Sequence, residues 1–153
     1  MSYILNQEQF VPYPIDEVFS FFSKAENLEK ITPPKLKFRI LTPTPVPMHP
    51  GVVIDYKIRI FPFTMRWTSI ISEYTPPHHF TDVQLKGPYD LWHHTHGFKS
   101  VDGGTLMTDS VTYRMPFGLL GRLVHFLWVK RDIESIFKHR QKVLSTFFPN
   151  KGS

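Results

Sequence analysis

Cysteine is absent from the 153 residues of this chain, so no disulfide frames it and no thiolate chemistry is open to it. No window holds 18 uninterrupted apolar residues, so neither a membrane-spanning helix nor stable membrane insertion is expected. The opening Ser2-Tyr3-Ile4-Leu5-Asn6-Gln7 lacks a basic segment followed by an apolar one. The expectation is therefore a cytoplasmic protein without a secretory signal. Glycine is scarce, at 8 residues, and none forms a phosphate-cradling loop, because Gly103-Gly104 reads as a hairpin turn. There is no Gly-x-Ser-x-Gly nucleophile elbow, and no carboxylate pair can be placed at glycosidase spacing. Charge is modest: charged residues make up 20% and the formal net charge is +5. The densest basic group, Lys130, Arg131, Lys138, His139, Arg140 and Lys142, is interrupted by Asp132 and Glu134 and spread around a helical period. It reads as a solvated helix face, and no nucleic-acid partner is expected.

Large apolar side chains are what the chain does have. Hydrophobic residues make up 41% and aromatics 15%, with 14 Phe, enough to line or fill a sizeable interior. The length suits a single domain over residues 1–150. Tyr3 to Val11 reads as a strand stopped by Pro12 and Pro14. Pro14-Ile15-Asp16-Glu17-Val18-Phe19-Ser20-Phe21-Phe22 opens with proline and acids and then turns apolar at helical spacing, which predicts a short helix. Ala25 to Ile31 predicts a second. Lys35 to Leu41 reads as a strand, followed by a stiff proline-rich loop to Gly51. Strands are then predicted over 52–60, 64–74, 80–86, 91–101 and 105–115, with turn residues between them. From Gly118 to Phe148 there is no proline, and apolar residues recur at i, i+3, i+4, the stripe of one long amphipathic helix. The segment from Leu119 to Val129 is apolar nearly all round, apart from Arg122 and His125. Burial under the sheet is the expected place for it, with a cavity lid, a dimer contact or a membrane-touching surface as alternatives. The whole reads as α+β: a curved antiparallel sheet of about six to seven strands around a long C-terminal helix, with two short helices after strand 1.

One stretch carries candidate chemistry. In a strand over 91–101, Trp92, His94, His96 and Phe98 share one face, two aromatics bracketing two imidazoles. If Asp102-Gly103 makes a two-residue hairpin, His96 faces Asp109, His94 faces Val111, Trp92 faces Tyr113 and Phe98 faces Met107. Across the preceding turn, Asp82 and Gln84 come alongside His96 and His94 in one register. A carboxylate beside an imidazole in a low-dielectric site fixes a tautomer and favours the charged imidazolium. Such a pair orients the polar end of a ligand, acts as general acid and base on an enolisable carbonyl, or simply satisfies a buried hydrogen bond. Strand alternation sends His93 to the opposite face, which leaves two imidazoles and one carboxylate without a clear fourth ligand. No metal and no other cofactor is expected. Tyr56 and Trp67 are candidate cavity walls. His78 and His79 are expected in an exposed turn, and His125 as a packed helix residue. Lys57 and Arg59 are expected outside, and Arg140 either reaches inward to a carboxylate or ligand or sits solvated at the stripe edge.

The element order, the helix opening Pro14 to Phe19 and the Phe80-Thr81-Asp82 run resemble the START/Bet v 1-like superfamily. Further along the chain, Gly87-Pro88-Tyr89 with Trp92, His94, His96 and Phe98, then Asp109-x-Val111-x-Tyr113-x-Met115-Pro116, and Ile136-Phe137 with Arg140, extend that resemblance over the chain. Within the superfamily the sequence is most similar to bacterial ligand-binding SRPBCC (polyketide cyclase/dehydrase-like) domains. The resemblance implies a helix-grip fold enclosing an apolar cavity for a lipid, polyketide or similar hydrophobic small molecule. On this reading the ligand would be held by Trp92, His94, His96, Asp109, Tyr113, Tyr56, Trp67 and Asp82, with no catalytic residue. The alternative is a cyclase, aromatase or dehydratase-type enzyme using His96 and Asp109 as general acid and base. A homodimer stays open on either reading.

Overall fold

The computed structural model describes residues 1–60 and 62–152. Strand β1 (Ser2–Val11) ends at the predicted prolines, and helix α1 (Ile15–Phe22) starts directly after Pro14. Asp16 and Glu17 occupy its first turn, where the unpaired N–H groups favour negative charge, and Val18, Phe19 and Phe22 point into the core. Helix α2 (Ala25–Ile31) follows. The strand expected over Lys35 to Leu41 shrinks to two residues, β2 (Arg39–Ile40), behind a single 3₁₀ turn at Pro34–Leu36. Pro34 supplies no ladder N–H, and Lys37 takes a left-handed backbone with φ 44°, so an extended run cannot begin until Phe38 has passed.

Strands β3 (Val53–Ile60), β4 (Phe63–Thr75), β5 (His79–Lys86), β6 (Leu91–Val101) and β7 (Gly104–Arg114) complete one antiparallel sheet in the order β1-β7-β6-β5-β4-β3-β2. Consecutive neighbours from β2 to β7 make it a meander, and β1 closes onto β7 from the chain's other end. The β6–β7 hairpin has the predicted register, with Val101 opposite Gly104 and His96 opposite Asp109. Gly103 takes φ +81°, which the two-residue turn requires. The buried face of this hairpin is therefore Trp92, His94, His96, Phe98, Met107, Val111 and Tyr113, while His93 is exposed. An irregularity between Ile71 and Glu73 shifts β4 by one residue. Both Ile71, opposite Asp82, and Tyr74, opposite Phe80, thereby reach the inner side, which strict alternation would forbid.

The long helix forms as predicted but in three continuous pieces. They are α3 (Gly118–Val124), a π-helical turn at His125–Val129 and α4 (Lys130–Phe147). Only α4 behaves as the apolar stripe promises, burying Ile133, Phe137 and Leu144 against the sheet and α1. The expectation that Leu119 to Val129 lies under the sheet is overturned: Leu119 is 79% exposed, Phe126 78% and Leu127 62%. Gly121 and His125 alone are buried in this part, four residues apart, so a single inward line holds it to the body. An apolar segment of this kind satisfies any apolar contact, and pattern does not say whether its own sheet or another surface provides it. Two leucines on the one helix should separate the halves. Leu144→Ala should lower stability to urea by about 2–5 kcal/mol, and Leu119→Ala should change it by less than about 0.5 kcal/mol.

Candidate functional site

Between the sheet and helices α1, α2 and α4 the side chains leave a cavity of about 200 Å³. Its walls are mostly aromatic and aliphatic. Tyr56 and Trp67 face each other across β3 and β4, and the Trp67 ring meets Trp92 edge-on at 5.3 Å. From the helical side come Phe22, Ile133 and Phe137. One part of the lining is polar, made by Asp82, His94, His96 and Arg140.

That polar part is a crossed network. Register sets His94 opposite Asp82 on β5, and His96 opposite Asp109 on β7. The hydrogen bonds run along the diagonals instead: His96 Nε2–H donates to Asp82 Oδ2 at 2.8 Å, and His94 Nε2–H donates to Asp109 Oδ1 at 2.8 Å. An ionised carboxylate only accepts, so the proton on each ring sits on Nε2. The pairing of His96 with Asp109 expected from register is thus displaced to a 3.5 Å approach of His96 Nδ1 to Asp109 Oδ1. The two imidazoles lie with ring centroids 3.7 Å apart, too close for both to carry charge comfortably. Arg140 brings Nη1 to 3.6 Å from Asp109 Oδ1, with its guanidinium over the Phe22 ring at 5.0 Å.

Burial sets the charge states. Burial, then the neighbouring His94, push the His96 pKa down to about 4 against the pull of the Asp82 hydrogen bond, so this imidazole is neutral at neutral pH. Burial alone would raise both carboxyls. The His96 hydrogen bond and the surrounding positive groups nevertheless hold Asp82 below its ordinary value, and Arg140 with the His94 hydrogen bond holds Asp109 well below the carboxylate range. Both aspartates stay ionised. Three buried polar atoms of the network make no hydrogen bond within the protein: His96 Nδ1, Arg140 Nε and Arg140 Nη2.

Of the residues singled out from the sequence, Tyr56, Trp67, Asp82, Trp92, His94 and His96 line the cavity. Asp109 and Tyr113 do not. Asp109 acts on the wall through His94 and Arg140, and Tyr113 is packed with Tyr89 and Trp92 and hydrogen-bonded to His125 Nε2 at 2.8 Å. Gln84 is turned away from the imidazoles: its side-chain amide donates to the Tyr89 carbonyl at 2.6 Å and accepts the Tyr89 N–H. Arg140, left open by the sequence, reaches inward, and its place inside an otherwise apolar stripe was the available signal. Tyr89 is a wall residue that pattern missed, since it follows Gly87-Pro88 in a turn and carries no strand parity. His78 is exposed as expected, His79 opens β5 beside Glu73 at 3.3 Å, Lys57 is exposed and Arg59 half-buried.

Asp82, His94 and His96 are also the one grouping among the described residues whose donor atoms lie close enough to share a metal ion, within 4.8 Å. The fit is poor. Both Nε2 atoms already donate to aspartates, which leaves only Nδ1 of each ring to ligate, and the Arg140 guanidinium beside them opposes a further cation.

The model of the family described as polyketide cyclase/dehydrase and lipid transport matches residues 11–134. No curated protein matches the chain. Among solved structures, the fold is similar to that of Ara h 8.0201, with 19% identity, 95% of this chain and 99% of that one covered, and TM-score 0.63. It is similar to a norcoclaurine synthase from Thalictrum, a point mutant in complex with a transition-state analogue (13% identity, 95% and 96% covered, TM-score 0.66). It is also similar to the two-domain ARO/CYC protein StfQ of the steffimycin biosynthetic pathway (12% identity, 97% and 51% covered, TM-score 0.69). At these identities the likeness is one of fold, the helix-grip architecture of Bet v 1-like proteins.

The neutral His96 has a consequence for stability. Its pKa is about 6.5 in the unfolded chain and about 4 when folded. Between those values the unfolded state takes up a proton that the folded state refuses, so stability falls as pH drops through that window, by up to about 3 kcal/mol. Urea unfolding at pH 6.5 and pH 4 should show the fall in the wild type. His96→Gln, which keeps an N–H for Asp82 but does not titrate, should lose distinctly less, and equal losses in the two proteins would assign the fall elsewhere.

Proposed function

Because this chain belongs to the polyketide cyclase/dehydrase and lipid transport family, we propose that it holds a hydrophobic small molecule in the cavity between sheet and helices, gripped at one polar end. The observation that carries this reading is that Arg140 and His96, which line a mostly apolar cavity, hold buried polar atoms without a partner: Arg140 Nε and Nη2, and His96 Nδ1. A buried donor without a partner costs about 1–3 kcal/mol, so a ligand that supplies one recovers that energy on binding. With Nε2 of His96 protonated toward Asp82, Nδ1 accepts, while the two guanidinium nitrogens donate. A hydroxyl end, which both donates and accepts, suits this combination. Two ionised aspartates already face one guanidinium and a neutral His96, which argues against a carboxylate end. Tyr56, Trp67 and Trp92 would pack along the apolar body, Asp82, His94 and His96 would meet the polar end, and Asp109 would position His94 and Arg140.

One observation favours a second reading. His96 is neutral, oriented by a carboxylate through Nε2, with Nδ1 left without a hydrogen bond, which is how a general base is held. An enzyme of cyclase, aromatase or dehydratase type would use it to take a proton next to a ligand carbonyl, with the Arg140 N–H groups stabilising the oxygen that gains charge. StfQ and norcoclaurine synthase carry enzymatic chemistry on the same architecture by their names. Binding is the reading preferred, because fold does not imply chemistry and the network is complete as a grip without any reaction.

Native mass spectrometry of the protein purified from its own host, beside the denatured mass, should reveal an extra mass that organic extraction releases. In that case His96→Ala should reduce the retained fraction by about tenfold, the loss of one hydrogen bond. An empty wild-type protein would count against a carrier. Retained binding with lost conversion of the extracted compound would move the assignment to the enzyme.

A further inference from the structure

We propose that the ridge formed by α3 and the π-helical turn docks on the surface of an anionic lipid bilayer, lying in its interface rather than crossing it. Phe117, Leu119, Leu120, Phe126, Leu127 and Trp128 are all between 51% and 81% exposed. Large apolar side chains so concentrated on a surface mark an interaction site rather than ordinary scatter.

The ridge stands out for a local reason. Its inward line is Gly121 and His125, with Val129 at the end of the π turn half-buried against the core. A Cβ at Gly121 would lie 1.8 Å from the Pro116 carbonyl oxygen, so the helix start is seated directly on backbone. One turn later His125 stacks on Tyr3 with centroids 3.5 Å apart and hydrogen-bonds Tyr113. The π turn begins at His125, directing that imidazole inward while Phe126, Leu127 and Trp128 face out. With one line held in this way, the rest of the circumference is free to meet another surface.

Charge selects the occupant. From Ser110 to Arg131 the chain has no acidic residue, and Arg122, Lys130 and Arg131 are exposed on or next to the ridge. The next acid, Asp132, is engaged by Lys35 at 2.7 Å. A symmetric contact between two copies would bring these cations toward their own counterparts with no carboxylate on the ridge to answer them. An anionic headgroup layer supplies the complement, and Trp128 suits the boundary between headgroups and acyl chains. Phe117–Trp128 spans about 18 Å as a helix, short of the ~30 Å hydrocarbon core. No helix among the described residues is long and apolar enough to cross a membrane. The same continuous helix goes on into α4, whose Ile133, Phe137 and Arg140 wall the cavity.

Flotation with vesicles of phosphatidylcholine alone, and of phosphatidylcholine with an equal part of phosphatidylglycerol, tests this. The full chain should float with the mixed vesicles and much less with the neutral ones. Leu119→Ser with Phe126→Ser should cut flotation by at least about tenfold, and Arg122→Glu with Arg131→Glu should do so for the mixed vesicles. These positions are exposed, so thermal unfolding should show both variants folded. Brominated phospholipids should quench tryptophan emission in the wild type and distinctly less in Trp128→Phe. A protein that stays in the buffer, or whose flotation survives both pairs of substitutions, overturns the proposal. A dimer seen by light scattering and dissolved by the apolar pair, without flotation, overturns it equally and assigns the ridge to a second copy.

Discussion

Two carboxylates, a guanidinium and two imidazoles are packed under one sheet, and their mutual pairing is the constraint on which the site depends. Removing such groups from water costs several kcal/mol each unless hydrogen bonds and opposite charge replace the solvent. Here each aspartate receives an imidazole N–H at 2.8 Å, and Asp109 also has Arg140 at 3.6 Å. The groups come from β5, β6, β7 and α4, so the network ties the long helix to three adjacent strands. It also bears on the space beside it. Apolar atoms laid over Arg140 Nε, Arg140 Nη2 and His96 Nδ1 could not partner them, so a collapsed cavity would seal those atoms away permanently. A pocket that a polar ligand end can enter is the arrangement in which they have a use.

The long C-terminal helix has two halves with opposite solutions to the same problem. In α4 the apolar stripe is ordinary, and Ile133, Phe137 and Leu144 pack inward. In α3 and the π turn nearly every position is apolar, yet only Gly121, His125 and the half-buried Val129 face the body. The sheet offers that end little to pack against, because Tyr3, Tyr89, Trp92 and Tyr113 already fill the space among themselves. Burying Leu119 or Phe126 there would mean overpacking a filled aromatic cluster, at a cost comparable to what burial would return.

Much of the fold was legible because it rests on local periodicity. Alternation in β3 and in β6, the Asp102-Gly103 turn, the Pro14 helix start and the proline-free final helix each point to the element that forms. The two-residue turn even carried register, and with it the shared face of Trp92, His94, His96 and Phe98. The failures share a cause as well. The strand expected from Lys35 lost to the geometry of Pro34 and the left-handed backbone of Lys37. Tyr89 enters only through the family resemblance and not as a cavity wall, because a turn has no parity, and the shift in β4 broke alternation at a place where residue types give no warning.

Composition and pattern determined on their own the element order, the antiparallel meander and the hairpin face that bears the imidazoles, since each follows from backbone sterics acting over a few neighbouring residues. Which carboxylate each imidazole holds was decided only in three dimensions. Register places His96 opposite Asp109, but the hydrogen bonds take the diagonals, because ring reach and the packing of two imidazoles 3.7 Å apart choose among neighbours that register merely brings near. The direction of Arg140 and the exposure of Leu119 to Trp128 were settled in the same way. An amphipathic helix has a face that must meet something, and whether that something is its own sheet depends on space left by residues far away in the chain.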